Sequence, residues 1–501
     1  MKNLKLVGSL ILFLVAFVGA FIFSGQVFAE SSNHKDTPFE FIKGQIVVSV
    51  EPDLDNASIK SVDDTILTSS ELEQNGFHVL DSLLNSIEPE DGQTLSNDFK
   101  VNVVDKMGLV YLIDYAESDY KNIDEAKKEL EKALKEQGLK VRYIQGNYTM
   151  QAFGTTTEQV SPTSIHPNQE WNYEMIKAPE AWEVTPGSSQ TKIAVLDTGI
   201  DSNHPSLRDF VDTELGESFV GGNTEDRAGH GTHVAGTIAS YGQVSGVMQT
   251  ATLIPVKVLG DDGTGSMYGI QQGITYAASI DADVINMSLG GGGYDQGMDE
   301  AIQAANDQGT IVVAASGNDG IENVSYPAAY NGSVAVGSVT SNETRSSFSN
   351  YGSELDVMAP GSSIYSTVPG GQYDTLSGTS MATPHVAGVM GLIRTVDPNI
   401  SVTNARDILN NTAQSAGSEI EYGHGIVDTN AAVLEVTGDN DDGEDGDNGD
   451  DNPTAPTWQS FTWYIVGEEV SYNGNTYVCQ STHLSLPGWE PGNTPQYWTK
   501  K

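Results

Sequence analysis

Cysteine is nearly absent from this chain. Cys479 is the single one in 501 residues, so no internal disulfide can form, and the cysteine count says nothing about compartment. Basic residues are scarce as well. There are 24 Lys plus Arg against 68 Asp plus Glu, a net charge of −44. A nucleic-acid partner requires a basic footprint, and with none present nucleic acid is disfavoured. No His-Glu-x-x-His helix suggests a zinc protease, and no paired-carboxylate motif supports glycoside hydrolysis. What is plentiful is acid. Such a surface stays soluble, binds cations and suits high salt.

The chain is too long for one ordinary domain. Residues 1–29 read as a secretory signal, with Lys2 and Lys5 before an apolar run from Leu6 to about Phe23 and small residues in Val27-Phe28-Ala29. The expected location is therefore extracellular; the rival reading is a retained membrane anchor. Residues 30–153 form a small α+β unit, with strands over 41–50, 109–115 and 139–143 and an extended end over 147–153. Its helix over 124–137 carries Ile123, Ala126, Leu130, Ala133 and Leu134 on one face. From Gly154 to Pro167 a Ser/Thr/Gln/Pro stretch reads as an exposed linker opening a unit over 154–437. Strands over 192–196, 253–259, 284–289 and 310–315 then alternate with helices over 230–240, 269–280 and 299–308. The runs Ile193-Ala194-Val195-Leu196 and Ile311-Val312-Val313-Ala314-Ala315 suit buried parallel strands. The alternation predicts an α/β fold with a doubly wound, mostly parallel sheet, whose site lies beyond the carboxyl ends of its strands. Residues 438–453 are almost wholly Asp, Glu, Gly and Asn, an acidic disordered spacer. Residues 454–501 form a small aromatic all-β module with an Asn473-Gly474 hairpin signal.

Chemistry concentrates in Gly378-Thr379-Ser380-Met381-Ala382-Thr383-Pro384-His385, where a serine sits at the start of a helix. Backbone N–H groups there face any oxyanion formed beside Ser380, although a serine in this place also serves as a plain helix cap. A nucleophile needs a base and an orienting carboxylate. His230 in Gly229-His230-Gly231-Thr232-His233 and Asp197 at a strand end supply the residue types. Taken singly, each has an ordinary structural role. Together, in the chain order Asp, His, Ser, they make the region from Asn168 to Leu434 resemble a subtilisin-type serine protease. Ala315-Ser316-Gly317-Asn318-Asp319 is similar to that family's oxyanion-hole loop.

The resemblance implies that Asp197 orients His230, that His230 shuttles the Ser380 proton, and that Asn318 with the Ser380 N–H holds the oxyanion. Ser288, Leu289 and Gly290 resemble one substrate-binding strand, and Gly263 and Gly265 the strand opposite. An extended peptide would lie between them, the alternative being that these are turn glycines. Asp319 and Glu322 beside the side-chain pocket would favour basic residues. No cofactor is needed for the chemistry. Two departures, Ser206 in His204-Pro205-Ser206-Leu207 and the short loop 241–246, put the family's tight calcium site in doubt. Tyr330, Val334 and Asp356 match a weaker cation site, so structural calcium stays open. Residues 30–153 resemble the family's inhibitor-type propeptide, of ferredoxin-like fold, which would plug the cleft through its end near Phe153.

The tail resembles chitin-type carbohydrate-binding modules, with Trp463, Tyr464 and Trp489 as candidate sugar platforms and aromatic core packing as the alternative. The resulting reading is a secreted, monomeric serine endopeptidase acting on protein substrates, made as a zymogen and tethered to chitin-like polysaccharide. Its rivals are a catalytically silent carbohydrate-binding protein of subtilisin fold and a glycan hydrolase. The charge balance predicts that the melting temperature rises as salt is raised from millimolar to molar. A stability maximum at low ionic strength contradicts this.

Overall fold

Apolar residues with strand-like alternation open the described part of the chain. A computed structural model describes residues 41–51, 67, 70–87, 97–115, 120–153, 155–156 and 166–438, and in the tail 463–464, 466, 469–472, 475–481, 483–484, 491–492 and 494–501. The expected export signal, the acidic spacer beyond 438 and Trp489 lie outside the described residues. The N-terminal unit contains β1 (Phe41–Glu51), β2 (Phe77–Ser82), α1 (Asn97–Met107), β3 (Leu109–Tyr115), α2 (Ile123–Glu136) and β4 (Lys140–Ala152). Its strands lie in the order β4–β1–β3–β2 with every neighbour antiparallel, the ferredoxin-like order. The α2 face read from the sequence buries Ala126, Leu130, Ala133 and Leu134, and Asn122 caps the helix by accepting the Glu125 N–H at 2.9 Å.

Three features differ from expectation. β2 and α1 were not anticipated. β4 is continuous rather than two pieces. The expected linker is partly ordered, since Thr155–Thr156 pairs with residues 376–377, and Pro167 is the first residue of α3 (Pro167–Met175), where its fixed φ and missing N–H are tolerated.

The second unit is built on parallel strands covered on both faces. These are β5 (Gly187–Asp197), β6 (Thr250–Lys257), β7 (Val284–Met287), β8 (Ile311–Ala315), β9 (Ser333–Val339) and β10 (Val357–Pro360). The order β10–β9–β8–β7–β5–β6, closed by the short strand Glu217–Ser218, is parallel throughout. Successive residues point to opposite faces. Ala194 and Leu196 join one apolar core, while Ile193 and Val195 join the other. Each fully buried branched side chain contributes about 1.5–3 kcal/mol. α4 (His230–Ile238) and α7 (Thr379–Val396) pack on the second core; α5 (Met267–Ser279) and α6 (Gln296–Gln308) pack on the first. The chain order reverses between β5 and β7, the place where a cleft opens at strand ends.

The N-terminal unit docks on α5 and α6. Arg142 pairs with Glu300 at 2.7 Å, Lys106 with Asp307 at 2.6 Å, and Gln272 donates to Asp81 at 2.8 Å. In the tail, the strands Glu469–Tyr472, Asn475–Cys479 and Trp498–Lys500 form a three-stranded antiparallel sheet. Tyr472 pairs with Asn475, which leaves residues 473–474 to make the connection. Among the described residues no helix is long and apolar enough to cross a membrane.

Candidate active site

Asp197 ends β5 and is fully buried. Its Oδ1 accepts the Thr198 N–H at 2.7 Å, and both oxygens lie 2.8 and 2.9 Å from His230 Nδ1. This approach depends on glycine. A Cβ on Gly231 would sit 2.2 Å from the Gly199 carbonyl oxygen and 3.1 Å from Asp197 Cβ, so any side chain there would push α4 off the strand end. Gly229, at φ 98°, starts α4 in the left-handed region. The loop before α4 is held by Asp226, a residue with no motif to mark it. Its carboxylate accepts from Thr198 Oγ1, from the Ala228, Gly229 and Thr232 N–H groups and from Thr232 Oγ1, all within 2.6–3.0 Å. Burial raises its carboxyl pKa against those donors.

Burial of the His230 imidazole opposes its protonation, but the Asp197 charge and hydrogen bond, aided by the Phe153 carbonyl, outweigh burial and hold its pKa above the ordinary value. The neighbouring histidines differ. Burial takes His233 down to about 3 and His385 to about 4, so both stay neutral at ordinary pH. His233 bonds the Ile364 carbonyl and His385 the Met381 carbonyl.

Ser380 is the second residue of α7 and is fully buried. Its Oγ donates to the Ser288 carbonyl at 2.8 Å rather than to His230. Pro384, one helical turn on, lacks the N–H that would bond the Ser380 carbonyl. Ser288 Oγ takes that carbonyl instead, at 2.8 Å. The serine is thus tied twice to the end of the neighbouring strand. Asn318 Oδ1 accepts from Thr379 N and Thr379 Oγ1, both at 2.9 Å. This fixes the amide orientation, and among the described residues no acceptor is seen for Nδ2. It lies beside the first turn of α7, whose N–H groups have no intrahelical partner.

The end of β4 occupies the groove between the two expected edges. Met150 and Gln151 pair with Gly265 and Thr264 on one side; Ala152 and Gln151 pair with Leu289 and Gly290 on the other. Ala152 N donates to the Gly263 carbonyl at 3.0 Å, and Phe153 N to the Ser288 carbonyl at 3.4 Å. The Phe153 ring covers Gly290, where a Cβ would lie 2.5 Å from Cε2. The Phe153 carbonyl oxygen is 3.3 Å from His230 Nε2. Beyond it, Thr155 pairs with Ser377. The described residues on either side of 154 therefore lie extended, one beside His230 and the other paired with the strand that leads to Ser380. Asp319 and Glu322 are exposed, while the side-chain pocket holds an aromatic ring.

The tight calcium position does not fit a cation. Gln169 Oε1 accepts the Ser245 N–H at 3.1 Å, and its Nε2 donates to the Ser245 and Tyr365 carbonyls at 3.0 and 3.1 Å. Ser206 Oγ bonds Tyr373 OH at 2.9 Å. At the weaker position, Arg406 grips both Asp356 oxygens at 2.7 and 2.8 Å, so that carboxylate is already paired. Among the described residues no cluster of three or more His, Cys, Asp or Glu is arranged to hold a metal.

In the tail, Tyr464 is a correction. It is 4% exposed, its ring packs edge-on against Trp498, and it belongs to a core with Val470 and Cys479, so it offers no face to a sugar. So small a sheet has little else to bury. Trp463 pairs with Leu484 in a separate two-stranded ribbon.

The model of the subtilase family matches residues 188–425, and that of carbohydrate-binding module family 5/12 matches residues 457–499. The chain is 46% identical over 267 residues to subtilisin BL of Lederbergia lenta, covering 52% of this chain and 97% of that protein. It is 44% identical over 280 residues to an alkaline protease of Shouchella clausii, covering 55% and 72%. It is 45% identical over 267 residues to alkaline elastase YaB of a Bacillus species, covering 52% and 69%.

The raised His230 pKa means that the imidazolium survives to higher pH than for an ordinary histidine and is lost as pH rises through that value. Replacing Asp197 with Asn removes the charge that raises it. Imidazole NMR titration of the Asp197→Asn chain should give a His230 midpoint below that of the wild type; an unchanged midpoint refutes the assigned cause.

Proposed function

The chain belongs to the subtilase family, and from that premise we propose a secreted serine endopeptidase, made as a self-processed zymogen and tethered to chitin-like polysaccharide by its tail. The observation that carries this reading is the extended peptide laid between two glycine-bearing edges, with its Phe153 carbonyl 3.3 Å from His230 Nε2. An imidazole donating to both Asp197 and Phe153 is the protonated form. Loss of the Nε2 proton makes it a base, and Ser380 Oγ turns from the Ser288 carbonyl toward it.

His230 Nε2 then takes the Ser380 proton as Oγ attacks the substrate carbonyl carbon. The oxyanion is held by Asn318 Nδ2 and the Ser380 N–H. Asp197 keeps the imidazole in the tautomer with Nδ1 protonated and stabilises the imidazolium. Collapse breaks the C–N bond, and the amine leaves with the proton from His230. Water deacylates the enzyme by the same path in reverse. None of these steps requires a cofactor. The first substrate is the chain itself, cut between Phe153 and Gly154. Residues 30–153 then remain as an intramolecular inhibitor, since β4 still fills the groove. The ring of Phe153 on Gly290 supports large apolar side chains before the cleaved bond rather than the basic residues suggested by Asp319 and Glu322. Function as a monomer and export through residues 1–29 complete the reading.

Casein hydrolysis discriminates this reading from a silent carbohydrate-binding protein. Ser380→Ala should abolish activity and leave the Phe153–Gly154 bond intact. Asn318→Ala should lower kcat by about 10²–10³-fold with little change in KM. Equal activity of wild type and Ser380→Ala overturns the assignment. Separately, a chitin pull-down should retain the full chain and lose the form lacking residues 454–501; undiminished retention of the truncated form removes the role given to the tail.

A further inference from the structure

The seam between the N-terminal unit and α6 gathers buried polar atoms that have no hydrogen-bond partner among the described residues. Asp295, the cap of α6, is 3% exposed. Its Oδ1 accepts the Met298 N–H at 2.8 Å and the Gln271 amide at 3.0 Å, while Oδ2 has no hydrogen-bond partner. From β4, Tyr143 OH and Gln145 Nε2 are also buried without a partner. Both crowd the same turn, since a Cβ on Gly297 would lie 2.6 Å from the first and 3.2 Å from the second.

The charges facing this point do not neutralise it. On α6 they are Glu300 and Asp299, both acidic. On β4, Arg142 is committed to Glu300 at 2.7 Å, and Tyr143 and Tyr148 are phenols. Tyr294 bonds Asp299, and Tyr330 OH is held by the Asp295 backbone, accepting its N–H at 2.9 Å and donating to its carbonyl at 3.0 Å. A buried carboxylate oxygen with no donor is costly when ionised and far less so when protonated.

We propose that Asp295 is a proton-controlled latch, retaining the inhibitory N-terminal unit while protonated and loosening it on ionisation. The inference rests on the reading of residues 30–153 as an inhibitory propeptide. Its sign follows from linkage. Burial pushes the Asp295 carboxyl up to about 6, against the Met298 N–H and the Gln271 amide. Once the unit leaves, β4 no longer covers Oδ2, water reaches it, and the carboxyl returns toward the ordinary value near 4. The docked form thus holds a proton that the separated parts release. Retention is fully present below about pH 4, weakens as pH rises towards about 6, and levels off above. The gap of about two pH units corresponds to at most about a 100-fold change in affinity.

The test uses the full chain after self-cleavage, diluted at pH values from 4 to 8, with the retained unit measured by native mass spectrometry. The wild type should lose affinity by up to about 100-fold between pH 4 and 7. Asp295→Asn, which still caps α6 but carries no proton to lose, should hold the unit with a flat profile. A flat wild-type profile, or the same slope in both proteins, overturns the latch. Carboxyl titration of Asp295 in the uncut Ser380→Ala chain is a second measure that does not depend on how Asp295→Asn folds. A midpoint near 4 there also overturns it. Failure of the underlying reading looks different: the Phe153–Gly154 bond stays whole in the wild type, or the retained unit does not inhibit casein hydrolysis.

Discussion

A carboxylate removed from water beside an imidazole is the constraint to which the rest of the structure answers. Burying Asp197 unpaired would cost several kcal/mol. It is tolerated because the Thr198 N–H and His230 Nδ1 lie at 2.7 and 2.8 Å. That contact in turn requires α4 to touch the end of β5. Glycine at 231 permits the approach, and the five donors around Asp226 hold the loop that delivers it. The parallel sheet, dry on both faces, supplies rigid strand ends at which these groups meet.

The second organising element is β4, which belongs to two sheets at once. Its first half pairs with β1 inside the N-terminal unit, and its end is held between residues 264–266 and 289–290. Main-chain hydrogen bonds carry that end, so the groove accepts an extended peptide with little regard to most side chains. A side chain meets the groove where the Phe153 ring lies on Gly290. The same economy of backbone appears at Ser380: Pro384 frees a helix carbonyl, and Ser288 binds both that carbonyl and the serine hydroxyl. Side chains add to this ladder at the α6 seam, where Arg142 pairs with Glu300 and Lys106 with Asp307.

Local features were readable in advance. The amphipathic spacing of α2, the apolar runs of β5 and β8 and the hairpin signal in the tail each depend on neighbours a few residues apart. β2 and α1 escaped notice because neither carries a clean period: β2 alternates in burial yet includes Asp81 and Ser82, and α1 places Asn102 and Asp105 among its apolar residues. Tyr464 looked like a sugar platform because an aromatic residue presents the same letter whether it stacks on a ligand or fills a core. Only its burial against Trp498 separates the two.

By itself the sequence determined the layered α/β plan, the acidic character and the types of residue available for chemistry, because period, composition and motif are properties of short stretches. Tertiary structure alone decided the rest. It brought together Asp197 and His230, 33 residues apart, and Ser288 and Ser380, 92 apart. It filled the calcium position with Gln169 and Ser206 hydrogen bonds, paired Asp356 with Arg406, and left one oxygen of Asp295 without a donor. Those outcomes turn on distances of a few ångströms between remote segments, and only packing of the whole chain sets such distances.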